Sequence, residues 1–319
     1  MKKLILALFL SWSAVASAPA QSSYPNRPVR LIVPASAGTV TDILAREFAQ
    51  ILSPILKQPV IIENLMGAEQ LIGTQAAVRA KPDGHTILFV SSSTTILDPV
   101  ARASLPYDTT KDLAAGCAIG KTGNVLNMSS TLPFKTVKEL IDAAKASPEK
   151  YSFAYSSATT RMSGELFQQA AGIKLLGVPY KSSAGGLTDV AGGFVHLFFI
   201  DPASAAPHYA SGKIKPMLVA SRERFKTLPD VPTGIEMGLP GYEIWPSFGT
   251  WLPAGTPPHI LSAAREALEK AVKTSDFAAV LAKHGVEPFH ACGDDLAKYT
   301  EDEIARWAEI FKKAGLVKQ

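Results

Sequence analysis

Val29-Arg30-Leu31-Ile32-Val33-Pro34-Ala35-Ser36-Ala37-Gly38-Thr39-Val40, followed by Leu44, Phe48, Ile51 and Ile55 at helical spacing, is the stretch that decides the fold. Its first five residues are mostly apolar and β-branched and stop at a proline, the pattern of a buried strand. A loop of small residues comes next. The apolar period beyond it predicts an amphipathic helix with Thr41 as its N-cap. Pro54 is expected to end or kink that helix, because proline lacks the N–H that an interior turn needs.

The same order recurs along the chain. Val60-Ile61-Ile62 reads as a strand, residues 64–69 as a loop, the stretch through Ala76-Ala77-Val78 as a helix, Pro82-Asp83-Gly84 as a turn and residues 86–90 as a strand. Ser91-Ser92-Ser93-Thr94-Thr95 then forms a loop made only of hydroxyl residues. After a helix at 137–146, a second set begins with strand 151–155, loop 156–160 and helix 163–171. Residues 175–179 lead into Tyr180-Lys181-Ser182-Ser183-Ala184, and strand 196–200 leads into Asp201-Pro202-Ala203-Ser204. This alternation predicts an α/β protein of two lobes, each a mostly parallel sheet flanked by helices. Beyond Leu261 the chain reads as helical, with Leu296, Tyr299, Ile304, Trp307 and Phe311 on one face that packs back onto the first lobe. The Pro- and Gly-rich segment 228–258 is the return crossing. The expected organisation is 1–20 as a signal peptide, 21–122 with 247–319 as a discontinuous lobe one, and 123–246 as lobe two.

Export follows from the N-terminus: basic Met1-Lys2-Lys3, an apolar run from Leu4 to Leu10, and small residues at Ala16-Ser17-Ala18 or Ala18-Pro19-Ala20. The apolar run is shorter than the roughly 20 residues a membrane span requires, and no cysteine follows it to carry a lipid. A soluble periplasmic protein is expected. Without Lys2 and Lys3 the formal charge of +4 falls to +2, and no Lys/Arg cluster points to nucleic acid. A hydrophobic fraction of 47% and a scattered charged fraction of 19% describe a packed globule rather than a disordered or fibrous chain. Cys117 and Cys292 lie in different stretches of the fold. A protein of this size needs no staple, so two buried free thiols are expected, although this compartment permits a disulfide.

In open α/β sheets ligands bind beyond the carboxyl ends of the strands, and here those ends carry Ser, Thr, Gly and Ala. Such loops suit an anion: small residues let backbone N–H groups approach, hydroxyls donate, and a helix N-terminus adds about half a positive charge. Arg161 follows Thr159-Thr160 at a helix start, where a guanidinium would grip a second carboxylate; the alternative is a surface arginine paired to Glu165. Glu69, at the presumed pocket edge, repels anions unless it faces solvent. Tyr242, Trp245, Phe248 and Trp251 either line a pocket for a planar ligand or, the favoured reading, lie buried under the crossing.

Catalytic and metal signatures are missing from the sequence. There is no Gly-x-Ser-x-Gly and no His-Glu-x-x-His. Gly120-Lys121-Thr122 fails as a phosphate loop because Ala115 stands where the first glycine belongs. His290-x-Cys292 with His284 lacks a second cluster at ligand spacing, and His85, His196, His208 and His259 form no constellation. Neither a metal nor a cofactor is expected.

Tyr24-Pro25 through Val33-Pro34, Gly38 with Thr41-Asp42-Ile43-Leu44-Ala45-Arg46, Pro82-Asp83-Gly84, Leu105-Pro106-Tyr107-Asp108 and Lys111-Asp112 resemble the tripartite tricarboxylate transporter substrate-binding receptors, the Bug family. Gly164-Glu165-Leu166-Phe167, Val178-Pro179-Tyr180-Lys181, Leu187-Thr188-Asp189, Leu228-Pro229-Asp230-Val231-Pro232-Thr233 and Pro253-Ala254-Gly255-Thr256-Pro257-Pro258 extend the likeness through nearly the whole chain. The resemblance implies a two-lobed periplasmic-binding-protein fold whose hinge closes a cleft on a di-, tri- or aromatic carboxylate. It implies a non-catalytic receptor that hands its ligand to a cognate inner-membrane permease. Combined with the loop chemistry, it makes Ser36, Ala37, Gly38, Thr39, Thr41, Asp42, Ser91, Ser92, Ser93 and Thr94 the expected lobe-one ligand residues. Ser156, Ser157, Thr159, Thr160, Arg161, Ser182, Ser183 and Asp201 are those of lobe two. The sequence departs from the family pattern at Ala37-Gly38-Thr39-Val40, at Glu69-Gln70 and at Arg161, which leaves the ligand's identity open. A ligand-presenting partner of an extracytoplasmic sensor kinase is the alternative, and a secreted serine hydrolase a remote one.

Overall fold

The computed structural model describes residues 24–239 and 241–313, so the expected signal peptide lies outside the described residues. Among the described residues no helix is long and apolar enough to cross a membrane. Eleven strands divide between two sheets. The first contains β1 Val29–Val33, β2 Val60–Asn64, β3 Thr86–Ser91, β4 Leu113–Lys121, β10 Ser247–Pro253 and β11 Glu287–Pro288, in the order β11-β4-β10-β3-β1-β2. The second contains β5 Val125–Ser129, β6 Ser152–Tyr155, β7 Leu176–Pro179, β8 Leu197–Ile200 and β9 Ile214–Val219, in the order β7-β6-β8-β5-β9.

β1 is apolar almost throughout because helices cover both faces of its sheet. On one face lies α1, Val40–Leu56, whose Leu44, Phe48 and Leu52 are fully buried. The Phe48 ring meets Phe89 at 5.9 Å and Phe277 at 5.2 Å. The helix begins one residue before Thr41 and has Thr39 at its N-cap position. Thr39 gives no side-chain cap because its hydroxyl is donated to the Ser36 carbonyl at 2.8 Å. Pro54 sits inside the last turn without breaking it, and the helix closes at Lys57 in the left-handed conformation.

Both sheets are mixed rather than mostly parallel, and apart from the two-residue β11, antiparallel to β4, the departures have one cause. The local strand-helix-strand neighbours are parallel as their alternation demands: β1 with β2 and β3, β6 with β7 and β8. The strands that carry the chain in from the other sheet run antiparallel: β10 between β3 and β4, β5 between β8 and β9. The outward crossing is only Thr122, Gly123 and Asn124, and the return crossing arrives through Trp245 and Pro246. The Thr122 N–H donates to the Pro246 carbonyl at 3.0 Å, tying the two crossings together.

Leu268 of α9, Pro258–Val272, and Phe277 of α10, Ser275–Lys283, share the apolar core of α1. The last helix, α11, Asp294–Lys313, buries Leu296 against Trp251 of the first sheet, while its Trp307 and Phe311 join the second sheet's core. The expected helical return is therefore present, but it straddles both cores.

Cys117 and Cys292 form a disulfide, which corrects the expectation of free thiols. The segment before α11 pairs with β4 through Ala118 N–H to Ala291 C=O at 2.7 Å and Gly293 N–H to Gly116 C=O at 2.8 Å. That pairing sets the two cysteines opposite each other across a separation of 175 residues, a contact no local pattern encodes. Closing so long a loop restricts the unfolded chain strongly. Replacing both cysteines by serine should lower stability by about 2–5 kcal/mol, read as a lower urea midpoint; an unchanged midpoint would deny the bridge that role.

Candidate functional site

The loops at the carboxyl ends of the strands face one another across the cleft between the sheets. Thr39, Val40, Thr41, Gln70 and Ser91 line a small cavity from the first sheet's side, and Ser157, Thr159, Thr160, Ser183 and Asp201 from the second. Its volume is about 50 Å³, room for a few water molecules and far below the several hundred Å³ of an open ligand pocket. The lobes are therefore drawn together.

Four helices begin at this cavity: α1, α6 (Ala158–Ala171), α7 (Ser183–Gly192) and α8 (Pro202–Ala210). Local sequence starts three of them by side-chain capping. The Ser157 hydroxyl accepts from the Thr160 N–H in a capping box, Ser182 accepts from the Gly185 N–H, and Asp201 accepts from the Ser204 N–H at 2.8 Å. Positive dipole ends and first-turn N–H groups thus converge on one place. Among the described residues, no cationic side chain lines this cavity, and Asp201 is its sole carboxylate.

Hydrogen bonds cross from lobe to lobe. The Val40 N–H, the first of α1, donates to the Ser204 hydroxyl at 2.9 Å, and the Ser204 hydroxyl donates to Asp201 at 2.9 Å. The Thr159 N–H reaches the Ser93 hydroxyl at 3.4 Å. The Thr159 hydroxyl, buried on the cavity wall, makes no hydrogen bond within the described residues.

The expected residues fall into three groups. Thr39, Thr41, Ser91, Ser157, Thr159, Thr160, Ser183 and Asp201 are on the wall. Ser36, Ser156, Ser182 and Ser183 line an adjoining pocket of about 20 Å³ that shares Ala35 and Gln70 with the first and has Lys181 at its edge. The others serve as scaffold. Ala37 and Gly38 are exposed. Burial pulls the Asp42 carboxyl up, but hydrogen bonds from Arg46, the Gly38 N–H and Asn64 outweigh it and hold the pKa below the usual value. Asp42 therefore braces the first loop rather than facing a ligand. Ser92 accepts from the Ser247 N–H at 3.1 Å, and the Thr94 carbonyl accepts from Tyr107 at 2.8 Å.

Arg161 is off the wall of this small cavity and only 8% exposed, so it is not a surface arginine. Its charge acts on Asp98, Tyr155 and Glu165. Glu69 neither guards the pocket nor faces solvent alone; it pairs with Arg102 at 3.3 Å, and Arg102 bonds Asp98 at 2.8 Å. Burial pushes the Asp98 carboxyl up to about 6 against the pull of Arg102.

Sequence reasoning missed Gln70, Thr122, Asn124, Ile200 and Pro246 on the wall. Gln70 carried a signal: Ala68, Glu69 and Gln70 all have left-handed φ, of 45°, 54° and 80°, in a turn where glycine would be easier. That turn sends Gln70 to the cavity, where it accepts from Ser91 at 3.4 Å. The aromatic stretch divides: Phe248 lines the cavity, Trp251 and Tyr242 are core residues, and Trp245 faces elsewhere.

A pair of α/β lobes facing each other across a cleft lined by helix N-termini is the architecture of a two-lobed solute-binding protein. Residues 44–316 match the tripartite tricarboxylate transporter receptor family, to which this chain belongs. BugT of Bordetella pertussis is 30% identical over 98% of this chain and 96% of its own length. A Rhodopseudomonas palustris protein solved with adipate is 30% identical, with a TM-score of 0.87 over 93% of this chain and 100% of that one. MatC of the same organism, solved with malate, is 27% identical, with a TM-score of 0.84 over 90% and 99%. Membership places the chain among solute-binding proteins, not enzymes.

Burial also pushes the Asp201 carboxyl up to about 6, against its hydrogen bonds from Ser204. A raised folded-state pKa means that ionisation costs stability as pH climbs from about 4 through about 6, each unit being worth about 1.4 kcal/mol. Asn also caps helices, so Asp201→Asn should gain on the parent by up to about 3 kcal/mol between pH 4 and pH 7. Urea unfolding at the two pH values checks this; a difference that does not vary with pH would refute it.

Proposed function

We propose that this protein is a periplasmic receptor that closes its lobes over a small organic carboxylate and delivers it to a cognate tripartite permease of the inner membrane. The observation that carries the proposal is the convergence of four helix starts on a wall of hydroxyls and amides whose sole carboxylate, Asp201, is already capped onto α8. An anion there meets oriented N–H groups without the desolvation cost of a buried lysine or arginine. The family relatives solved with adipate and malate support a dicarboxylate-sized ligand.

The bonds within the cleft support a mechanism. The ligand carboxylate takes the Val40 N–H from Ser204, and its far end meets Thr159, Thr160 and Ser183. Admission requires the lobes to part, because about 50 Å³ does not hold a dicarboxylate. Rotation about the paired crossings at Thr122 and Pro246 provides that motion. The signal-peptide pattern at the N-terminus supports a periplasmic location.

A thermal-shift panel of dicarboxylates, tricarboxylates, acidic amino acids and aromatic acids tests the reading. A ligand at about one hundred times its Kd adds about 2.7 kcal/mol and raises Tm by a few degrees. A silent panel would overturn carboxylate capture. Thr159→Val should weaken the active ligand by roughly tenfold or more while leaving Tm of the free protein nearly unchanged, because this hydroxyl makes no internal bond; calorimetry with unchanged affinity would remove Thr159 from the site.

A further inference from the structure

Behind the crossings lies a much larger cavity of about 850 Å³, within the range of small-molecule sites. Both lobes line it. Lys121, Tyr299 and Arg306 come from the first side, and Arg222, Phe225 and Trp245 from the second. The crossings alternate between the two cavities: Thr122 and Pro246 face the cleft, while their neighbours Lys121 and Trp245 face the rear.

Most of the charge at the rear is internally compensated. Arg222 pairs with Glu243 at 3.0 Å, Arg306 with Glu303 at 2.6 Å, and Arg224 with Glu236 at 3.0 Å. Lys121 differs. Its ammonium lies over the Phe289 ring at 3.8 Å and the Tyr299 ring at 4.3 Å, half-buried, and burial lowers its pKa. Among the described residues no carboxylate stands within ion-pair distance of it; Glu287, its register partner across β4 and β11, does not reach it. Across the cavity, Phe225 and Trp245 meet edge-on at 6.1 Å and offer aromatic surface. Glu223, Lys226 and Glu287 also line the cavity without an ion pair among the described residues; Lys121, held over two rings opposite the aromatic walls, suits one anionic group on a flat apolar body.

We propose that this rear cavity is a second binding site, for a small aromatic monoanion, and that its occupancy favours the closed cleft. The coupling follows from the lever. Two lobes turning about paired crossings narrow the front as they widen the back, so a molecule that fits the wide rear cavity binds the closed arrangement better and shifts the population toward it. Nothing in this depends on the cleft's own ligand.

Benzoate is the probe, with benzamide as its uncharged counterpart, followed through the indole N–H resonance of Trp245 and assigned by Trp245→Phe. Benzoate should move that resonance, and benzamide and the Lys121→Met variant should each bind roughly tenfold or more weakly. If Lys121→Met fails to fold, Lys121→Gln replaces it. Ser204→Ala, which frees the lobes to part, should weaken benzoate by roughly threefold or more. Thr159→Val perturbs only the cleft and should leave the rear response intact, so failure of the cleft reading and failure of this one are distinguishable. A Trp245 resonance that benzoate does not move, or a benzoate Kd unchanged in the lysine variant, would overturn the site; a Kd unchanged in Ser204→Ala would overturn the coupling.

Discussion

Four helices that start at one cleft bring four positive dipole ends together, and like ends do not gather without compensation. The structure supplies it from within. Ser157, Ser182 and Asp201 cap three of the helices, and Ser204 reaches across the cleft to the first N–H of the fourth. Through Ser204 the Asp201 carboxylate is relayed to α1, so lobe two presents its own anion to lobe one. On the proposed function a bound carboxylate competes with that relay, so that loading trades internal bonds for ligand bonds.

The rest of the architecture holds these ends in place. The short crossings are joined at Thr122 and Pro246, and the disulfide pins the start of α11 to β4. A buried charged cluster lies beside the cleft, where Glu69, Arg102 and Asp98 from one side meet the field of Arg161 from the other. Apart from Asp201, the cavity wall carries no charged side chain among the described residues, so its donors are neutral. That arrangement distinguishes the site from one built on a single arginine fork.

Much of the fold was legible locally. The apolar run of β1, the stripe on α1 and the repeated strand-helix order each reflect contacts between near neighbours, and those neighbours pair in parallel as expected. Half-legible was the candidate site: hydroxyl loops at strand ends pointed to the loops that line the cleft cavity, but not which hydroxyl faces inward. Thr159 and Ser93 look alike in the chain, yet one lines the cavity and the other accepts a bond across the lobes. Asp42 and Arg161 sit within family motifs and loops, and each acts on its neighbours: Asp42 on Arg46 and the Gly38 N–H, Arg161 on Asp98.

By itself the sequence determined the class: two α/β lobes, hydroxyl-rich strand ends and the family's motifs, all set by residues within a turn or two of one another, where periodicity and capping act. Only the tertiary structure decided the antiparallel strands that link the sheets, the Cys117 to Cys292 bridge, the inward turn of Gln70 and the rear cavity at Lys121. Those features depend on segments far apart in the chain that meet because the two crossings pair, and no local pattern records where a distant segment will land.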